Sequence, residues 1–236
     1  HIENTLKNGT DPILETIKNK ELVFYGVGVG DTEMAFVDWL LKCEEKEVAV
    51  TGIDVNREFL ENFAVALRNR LIEENENVRI LYRAYNALFE QITKKDLIGG
   101  RLKKAHICLG GTIGNFADQD NIVKMLYDIA NAGDILIIGI QLDTNFEILC
   151  EKYKNNPLFA DFVQSYMPKD TKGNLFWLCD EKDGTIFAQH NGVEVFRSKK
   201  YNLNNLKELF ERGCFKLIYQ DTDIEKNIGL QIYGKL

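Results

Sequence analysis

Proline is almost missing from this chain of 236 residues. Pro12, Pro157 and Pro168 are the three, and none falls inside a strong strand pattern. Internal repeats and low-complexity linkers are missing as well, so no break in composition divides the chain. No apolar run approaches the ~20 residues that a membrane span needs, and no membrane partner is expected. Positive charge is in deficit: 29 Lys and Arg stand against 36 Asp and Glu, a net −7. An acidic chain repels phosphate backbones, which excludes a broad nucleic-acid surface. The five cysteines (Cys43, Cys108, Cys150, Cys179 and Cys214) contain no C-x-x-C pair. Neither a zinc ribbon nor a dithiol motif is supported, and no metal site is expected. Most of the cysteines read as small buried apolar residues of a reducing compartment. No basic segment followed by an apolar one opens the chain, so a signal peptide is not expected and a cytoplasmic location is.

What is present is an ordinary globular composition, 45% apolar and 28% charged, long enough for one large domain over residues 1–236, with room for an insertion. Strand patterns at 22–25, 48–54, 78–82, 105–109 and 134–140 alternate with helical periodicity over 32–45, 57–74 and 119–131. A short helix over 11–19 precedes them, opened by Asp11 and Pro12. Asp31 is expected to cap the 32–45 helix and Asn56 the 57–74 helix. This alternation predicts an α/β fold with a parallel sheet and right-handed crossovers. After residue 141 the pattern changes. Helices are expected over 145–154 and 157–166. A hairpin of 174–180 with 184–197 follows, turning at Asp183-Gly184. A helix over 203–212 and two closing strands, 214–222 and 228–235, complete the chain. Five residues between those strands leave no room for a crossover helix, so they form an antiparallel pair. The result is a Rossmann-like, seven-stranded, mostly parallel sheet with helices on both faces. Residues 141–200 form a small inserted substrate cap over its C-terminal edge, where ligands bind in open α/β sheets.

Four segments carry chemistry. Tyr25-Gly26-Val27-Gly28-Val29-Gly30-Asp31 lies between the first strand and the first long helix. Its glycines allow close backbone approach to a ligand, and the helix start adds free N–H groups. The last glycine is one residue early for a dinucleotide fingerprint, and Asp31 repels a pyrophosphate. A cationic or zwitterionic ligand, such as a sulfonium amino acid, suits it better. Asp54, with Val55 beside it, ends the second strand. Because Asn56 is placed to cap the next helix, Asp54 is left free to accept hydrogen bonds from a ribose diol. Tyr85-Asn86-Ala87-Leu88-Phe89 follows the third strand and offers a polar edge and a flat face to a purine, with Leu88 and Phe89 better read as core. Gly110-Gly111-Thr112-Ile113-Gly114-Asn115-Phe116 follows the fourth strand. Three glycines in five residues are hard to explain by packing, and Asn115 can donate and accept at a substrate amine or carboxylate. This loop is expected to border the first glycine loop.

Gly-x-Gly followed by an acid at the end of the second strand resembles the class I S-adenosylmethionine-dependent methyltransferases. Gly-Gly-Thr-Ile-Gly-Asn-Phe at 110–116 is similar to the (Gly/Ser)-Ser-Thr-Ile-Gly-Asn loop of the histidine-specific methyltransferases of the ergothioneine pathway. The resemblance implies S-adenosyl-L-methionine as cofactor, held by Gly26, Gly28 and Asp54. It implies Asn115 as the asparagine that holds the substrate amino acid, Tyr153 as a substrate tyrosine and Ser198 as a substrate serine. The glutamate expected two positions before that serine is Phe196, with Glu194 the available substitute; the acid-Phe pair usual after strand three reads Tyr85-Asn86.

Together these readings predict a methyltransferase acting on a small molecule, the amine of an amino acid or related metabolite. Cofactor contacts are expected from Tyr25, Gly26, Gly28, Gly30, Asp31, Asp54, Val55, Tyr85, Asn86, Gly110, Gly111 and Thr112. Asn115 and Tyr153 are the catalytic candidates, and Phe116 and Ser198 join them at the substrate. No residue stands out as an obligatory base; Asp143 is the available one. A rival reading is an NAD-linked oxidoreductase, opposed by Asp31 and by Tyr166 being followed four residues later by Asp170 rather than Lys. A second rival is a non-catalytic S-adenosylmethionine-binding protein. No G-x-S-x-G starts a hydrolase triad. His106, inside the fourth strand, reads as a core residue, and His190 as exposed near the hairpin.

Overall fold

The computed structural model describes residues 12–43, 46–73, 78–97, 102–165, 167, 175–223 and 227–236. Asp11, Tyr166, Pro168 and Asp170 lie outside those residues, as do the outer ends expected for the 32–45 and 57–74 helices and for the 174–180 strand.

Proline at the first helical position opens α1 (Pro12–Ile17). Strand β1 (Lys20–Tyr25) follows, with Glu21 through Tyr25 buried, as a strand covered on both faces should be. Helix α2 (Asp31–Lys42) buries Phe36, Val37, Leu40 and Leu41 on one stripe. After β2 (Glu47–Asp54), Asn56 accepts the N–H of Glu58 at 2.9 Å and starts α3 (Arg57–Glu73). Strands β3 (Arg79–Asn86), β4 (Lys103–Cys108) and β5 (Ile135–Gln141) continue the alternation, with α4 (Gln119–Ile129) between the last two. Asp118 caps α4 through the N–H of Asn121 at 3.0 Å.

Among the described residues seven strands pair into one sheet in the order β3-β2-β1-β4-β5, then β10 (Ile228–Lys235), then β9 (Phe215–Asp223). The first five are parallel, with Leu22 in register with both Val50 and Ala105. Strand β10 runs antiparallel to β5 and to β9. Alternate residues of the strands feed two apolar layers. Leu22, Phe24, Ile107 and Ile137 pack with α2 and α3. Val23, Tyr25, Ile138 and Tyr233 pack with α4 and with α7 (Leu203–Arg212). Each large side chain so buried contributes about 1.5–3 kcal/mol.

Three expectations need correction. Strand β3 runs four residues beyond 82, because parallel pairing with β2 continues to its end, Ile53 against Tyr85 and Asp54 against Asn86. Tyr85 and Asn86 therefore stand on the strand rather than after it. The expected two-stranded hairpin is a three-stranded sheet, β6 (Phe176–Asp180), β7 (Thr185–His190) and β8 (Val193–Lys199). Its second turn is Asn191-Gly192, where both residues have positive φ (50° and 78°), the two-residue geometry that matches strand twist. Finally, Cys150 and Cys179 are joined in a disulfide across 29 residues, while Cys43, Cys108 and Cys214 are not disulfide-bonded. The bond ties β6 to α5 (Phe146–Asn155), which leads through Asn156 into α6 (Pro157–Ser165). No described helix is long and apolar enough to cross a membrane.

Candidate functional site

Sheet order reverses between β1 and β4, and the loops that leave these two strands meet there. A Cβ on Gly26 would stand 3.5 Å from the hydroxyl of Thr112 and 3.4 Å from the ring of Phe89. The expected adjacency of the two glycine loops is thus realised. Gly30, at φ 88°, is the N-cap of α2, and Phe63 closes on it to within 3.0 Å of where a Cβ would be. Asp31 is therefore not the cap. Glycine takes the left-handed cap conformation, and Asp31 becomes the exposed first residue of the helix. Below it Glu33 is buried, and burial, helped by Asp31 and Asp54, pushes its carboxyl up to about 7.

Asp54 is not free. One carboxylate oxygen accepts the N–H of Gly28 at 3.1 Å and the other the N–H of Asn56 at 2.8 Å. Each oxygen keeps a further lone pair, so the group retains capacity to accept further hydrogen bonds while it joins the glycine loop to β2. Asn86 spends its amide N–H groups on the carbonyls of Asp54 and Val55, at 3.0 and 2.8 Å, and its Oδ1 has no described partner. The hydroxyl of Tyr85 donates to the carbonyl of Asp96, and its ring packs on the core. Val55, just past β2, and Leu88, just past β3, are exposed apolar side chains.

Tyr25 directs its side chain into the core. Its hydroxyl bonds Nδ1 of His106 at 3.0 Å, and its ring meets Phe89 edge-on. His106 is buried, as read, and its Nε2 faces Asp134 at 3.5 Å. Burial works against the Asp134 carboxylate, but His106 and the N–H groups of Asn131 and Lys104 outweigh it and hold its pKa down at about 2. Only the backbone of Tyr25 lies at the loop.

Thr112–Asn115 forms one turn of 3₁₀ helix, with Gly111 as its left-handed cap. Among the described residues nothing stands within 4 Å of a Cβ on Gly28 or on Gly110, so both backbones border open space there. At Gly114 the opposite holds: a Cβ would overlap the carbonyl oxygen of Lys199. Strand β8 thus rests directly on the loop. Asn115 is exposed at the end of this turn, and Phe116 stacks at a tilt on Phe89, centroids 5.8 Å apart.

Beyond the loop, Gly111 adjoins the backbone N of Gln141, and the Gln141 side chain is 3.5 Å from the Tyr153 hydroxyl. Tyr153 is walled by Phe159, Trp177 and Phe196, with centroids at 4.5, 6.0 and 6.1 Å. Burial raises the pKa of its phenol, partly offset by a bond with Ser198, so it stays protonated at neutral pH. Lys200 donates to Tyr153 at 2.7 Å and to Ser198 at 2.8 Å. The sequence reading missed Lys200 and this aromatic wall. The signal was the period of two, which sets residues 196, 198 and 200 on one face. Glu194, the substitute for the missing glutamate, is taken by a bidentate pair with Arg197, at 2.7 and 2.8 Å. Asp143 instead lines, with Asp183, Lys199, Lys200 and Tyr201, a cavity of about 610 Å³ that Asn115, Tyr153 and Asp54 do not line. His190 is half-buried rather than exposed, 3.0 Å from the amide of Asn191.

A family model described as histidine-specific methyltransferase, S-adenosylmethionine-dependent, matches residues 3–170. No curated protein matches the chain. Among solved structures, the CcbJ methyltransferase from Streptomyces caelestis is 11% identical, covers 98% of this chain and 89% of its own, and superposes with a TM-score of 0.56. A methyltransferase from Methanosarcina mazei is 16% identical over 95% of this chain and 97% of that one, TM-score 0.55. Magnesium protoporphyrin IX methyltransferase from Synechocystis, with bound S-adenosylhomocysteine, is 11% identical over 99% and 83%, TM-score 0.56. At such identities these likenesses speak for the fold.

Proposed function

The chain belongs to the family of S-adenosylmethionine-dependent methyltransferases described as histidine-specific, and on that footing we propose that it methylates the amine of a small acceptor, an amino acid or related metabolite. This membership decides against the NAD-linked oxidoreductase. The observation that carries the proposed site is the meeting of the two glycine loops at the reversal of sheet order, with Asp54 on the rim beside them.

The residues there fit the cofactor. Gly28 and Gly110 border open space, Asp54 keeps acceptor capacity for a ribose diol, and Val55 and Leu88 offer apolar contact to a purine, with Asn86 Oδ1 at its edge. Gly26, Gly30, Gly111 and Thr112 complete the cradle through their backbone. Bound there, S-adenosylmethionine supplies a methyl group already activated by its sulfonium. The protein's own work is then alignment, worth up to several kcal/mol through effective molarity. Asn115 orients the acceptor through an amide that both donates and accepts. Phe116, Tyr153 and Ser198 bound the acceptor pocket, and the protonated Tyr153 hydroxyl can accept from an amine. Residues 141–200 act as a cap that selects the acceptor and excludes water, within one unit spanning 1–236.

Calorimetric titration with S-adenosylhomocysteine and NAD, followed by transfer of labelled methyl to a panel of amino acids and amines, tests this reading. Tight binding of the nucleoside thioether, no binding of NAD and label on an amine are expected. Transfer to a non-amine acceptor alone would replace the amine assignment.

A further inference from the structure

The ammonium of Lys200 is buried, 4% exposed, and no described acid pairs with it. Its neighbours on β8 are treated differently: Lys199 is paired with Asp183 and Arg197 with Glu194. Lys200 has instead two neutral oxygens, the hydroxyl of Tyr153 at 2.7 Å and that of Ser198 at 2.8 Å. An ammonium carries three N–H donors; two go to these hydroxyls, and the third has no described oxygen or nitrogen acceptor, with the Tyr153 ring centroid 4.6 Å from the ammonium. Burial alone lowers its pKa, to about 8, and no nearby charge contributes. A buried charge held without a counter-ion is costly, and groups perturbed in this way cluster at functional sites.

The position of Lys200 says which ligand. Gly114, next to Asn115, lies against the backbone of Lys199. Lys200 thus follows directly on the residue that touches the 110–116 loop, and its ammonium turns toward Tyr153. The rings of Phe159, Trp177 and Phe196 pack against one another and against Tyr153. One positive charge with two neutral hydroxyls balances one negative charge. That matches a carboxylate and leaves a phosphate dianion uncompensated.

We propose that Lys200 is a specificity-determining residue of the acceptor pocket and that it takes a carboxylate of the methyl acceptor as its counter-ion. Tyr153 and Ser198 hold the ammonium in place for that contact. The role is distinct from that of Asn115, which meets the acceptor from the loop. It rests on the proposed location of the acceptor beside the glycine loops.

The test uses the full chain, wild type, Lys200→Met and Lys200→Arg. Each is first titrated with S-adenosylhomocysteine. The loaded protein is then titrated with the L-amino acids and with the matching amino acid amides, histidine and histidinamide among them. The expected result is that S-adenosylhomocysteine binds all three proteins equally, because Lys200 touches the acceptor side only. Amino acids that bind the wild type should lose at least about tenfold on amidation, by loss of a charge-assisted contact. That preference should vanish in Lys200→Met and survive in part in Lys200→Arg. Equal affinity for acid and amide in the wild type overturns the proposal, as does an undiminished preference in Lys200→Met or a loaded protein that binds no carboxylate. A Lys200→Met variant with unchanged acceptor affinity and a lowered turnover rate also overturns it, and points to proton transfer instead. If the wild type fails to bind S-adenosylhomocysteine, the proposed site itself fails, and this inference with it.

Discussion

The carboxylate of Asp54, at the end of β2, accepts the backbone N–H of Gly28 at 3.1 Å. One acid thereby shapes the glycine loop and faces the rim where a ribose is proposed to lie. Asp54→Ala should weaken S-adenosylhomocysteine binding at least about tenfold, through loss of a charge-assisted pair. Asp54→Asn, which keeps one acceptor oxygen, should lose less. Calorimetry on both variants checks the order. An unchanged affinity for Asp54→Ala would remove the ribose assignment.

Two glycines of the second loop separate backbone strain from close approach. Gly110, at φ 67° with open space around it, should tolerate alanine at a cost of about 1 kcal/mol. Gly114 has no room, because the Lys199 carbonyl occupies the position a Cβ would take. Gly114→Ala should destabilise by roughly 1–3 kcal/mol and abolish acceptor turnover by pushing β8 off the loop. Thermal unfolding and methyl-transfer assays on both variants read the difference.

Lys200 predicts a trade between stability and function. Its pKa of about 8 lies below the ordinary lysine value, so below pH 8 it is protonated in the folded and unfolded chains alike. The burial cost, about 3 kcal/mol at most, is in full force there and fades as pH rises from about 8 toward 10.5. Lys200→Met should therefore stabilise the fold at pH 7 while acceptor binding falls, and its advantage should shrink by pH 10. Urea melts at the two pH values measure it, and a variant less stable than wild type at pH 7 contradicts it.

Asp134 gives a slope of the same sign at the acid end, from a charge that stabilises rather than one that costs. Its pKa is depressed to about 2, so its stabilisation is present above pH 4 and is lost as pH falls from about 4 to about 2. Asp134→Asn should cost about 2 kcal/mol at neutral pH and flatten the acid limb of the stability curve. Denaturant melts between pH 2 and 7 resolve the two curves.

The disulfide bears on the acceptor pocket, since Cys150 lies three residues before Tyr153 and Cys179 two after Trp177. Breaking it by Cys150→Ser releases a loop of 29 residues, which chain entropy values at roughly 3–4 kcal/mol. The Michaelis constant for the acceptor should rise several-fold while S-adenosylhomocysteine affinity holds. A parallel loss of cofactor affinity would mean that the bond supports the whole sheet.

Local signals carried most of the fold. Helix starts at Pro12 and Asn56, the uniformly apolar Ile135–Ile138 and the short link between the last two strands are properties of neighbouring residues, so periodicity and capping rules read them correctly. The Asn191-Gly192 turn was also a local signal, but the apolar pattern on both sides of it read as one strand. What neighbours do not carry is convergence. Lys200 and Tyr153 are 47 residues apart, and His106 and Tyr25 are 81 apart. Asp54 finds Gly28 only because β1 and β2 pair in parallel and bring their ends to one rim. Residue types and spacing named the chemistry available. The order of strands decided which side chains are spent in the core, as with Tyr25, and which face a ligand, because burial and pairing depend on distances that close only when the sheet forms.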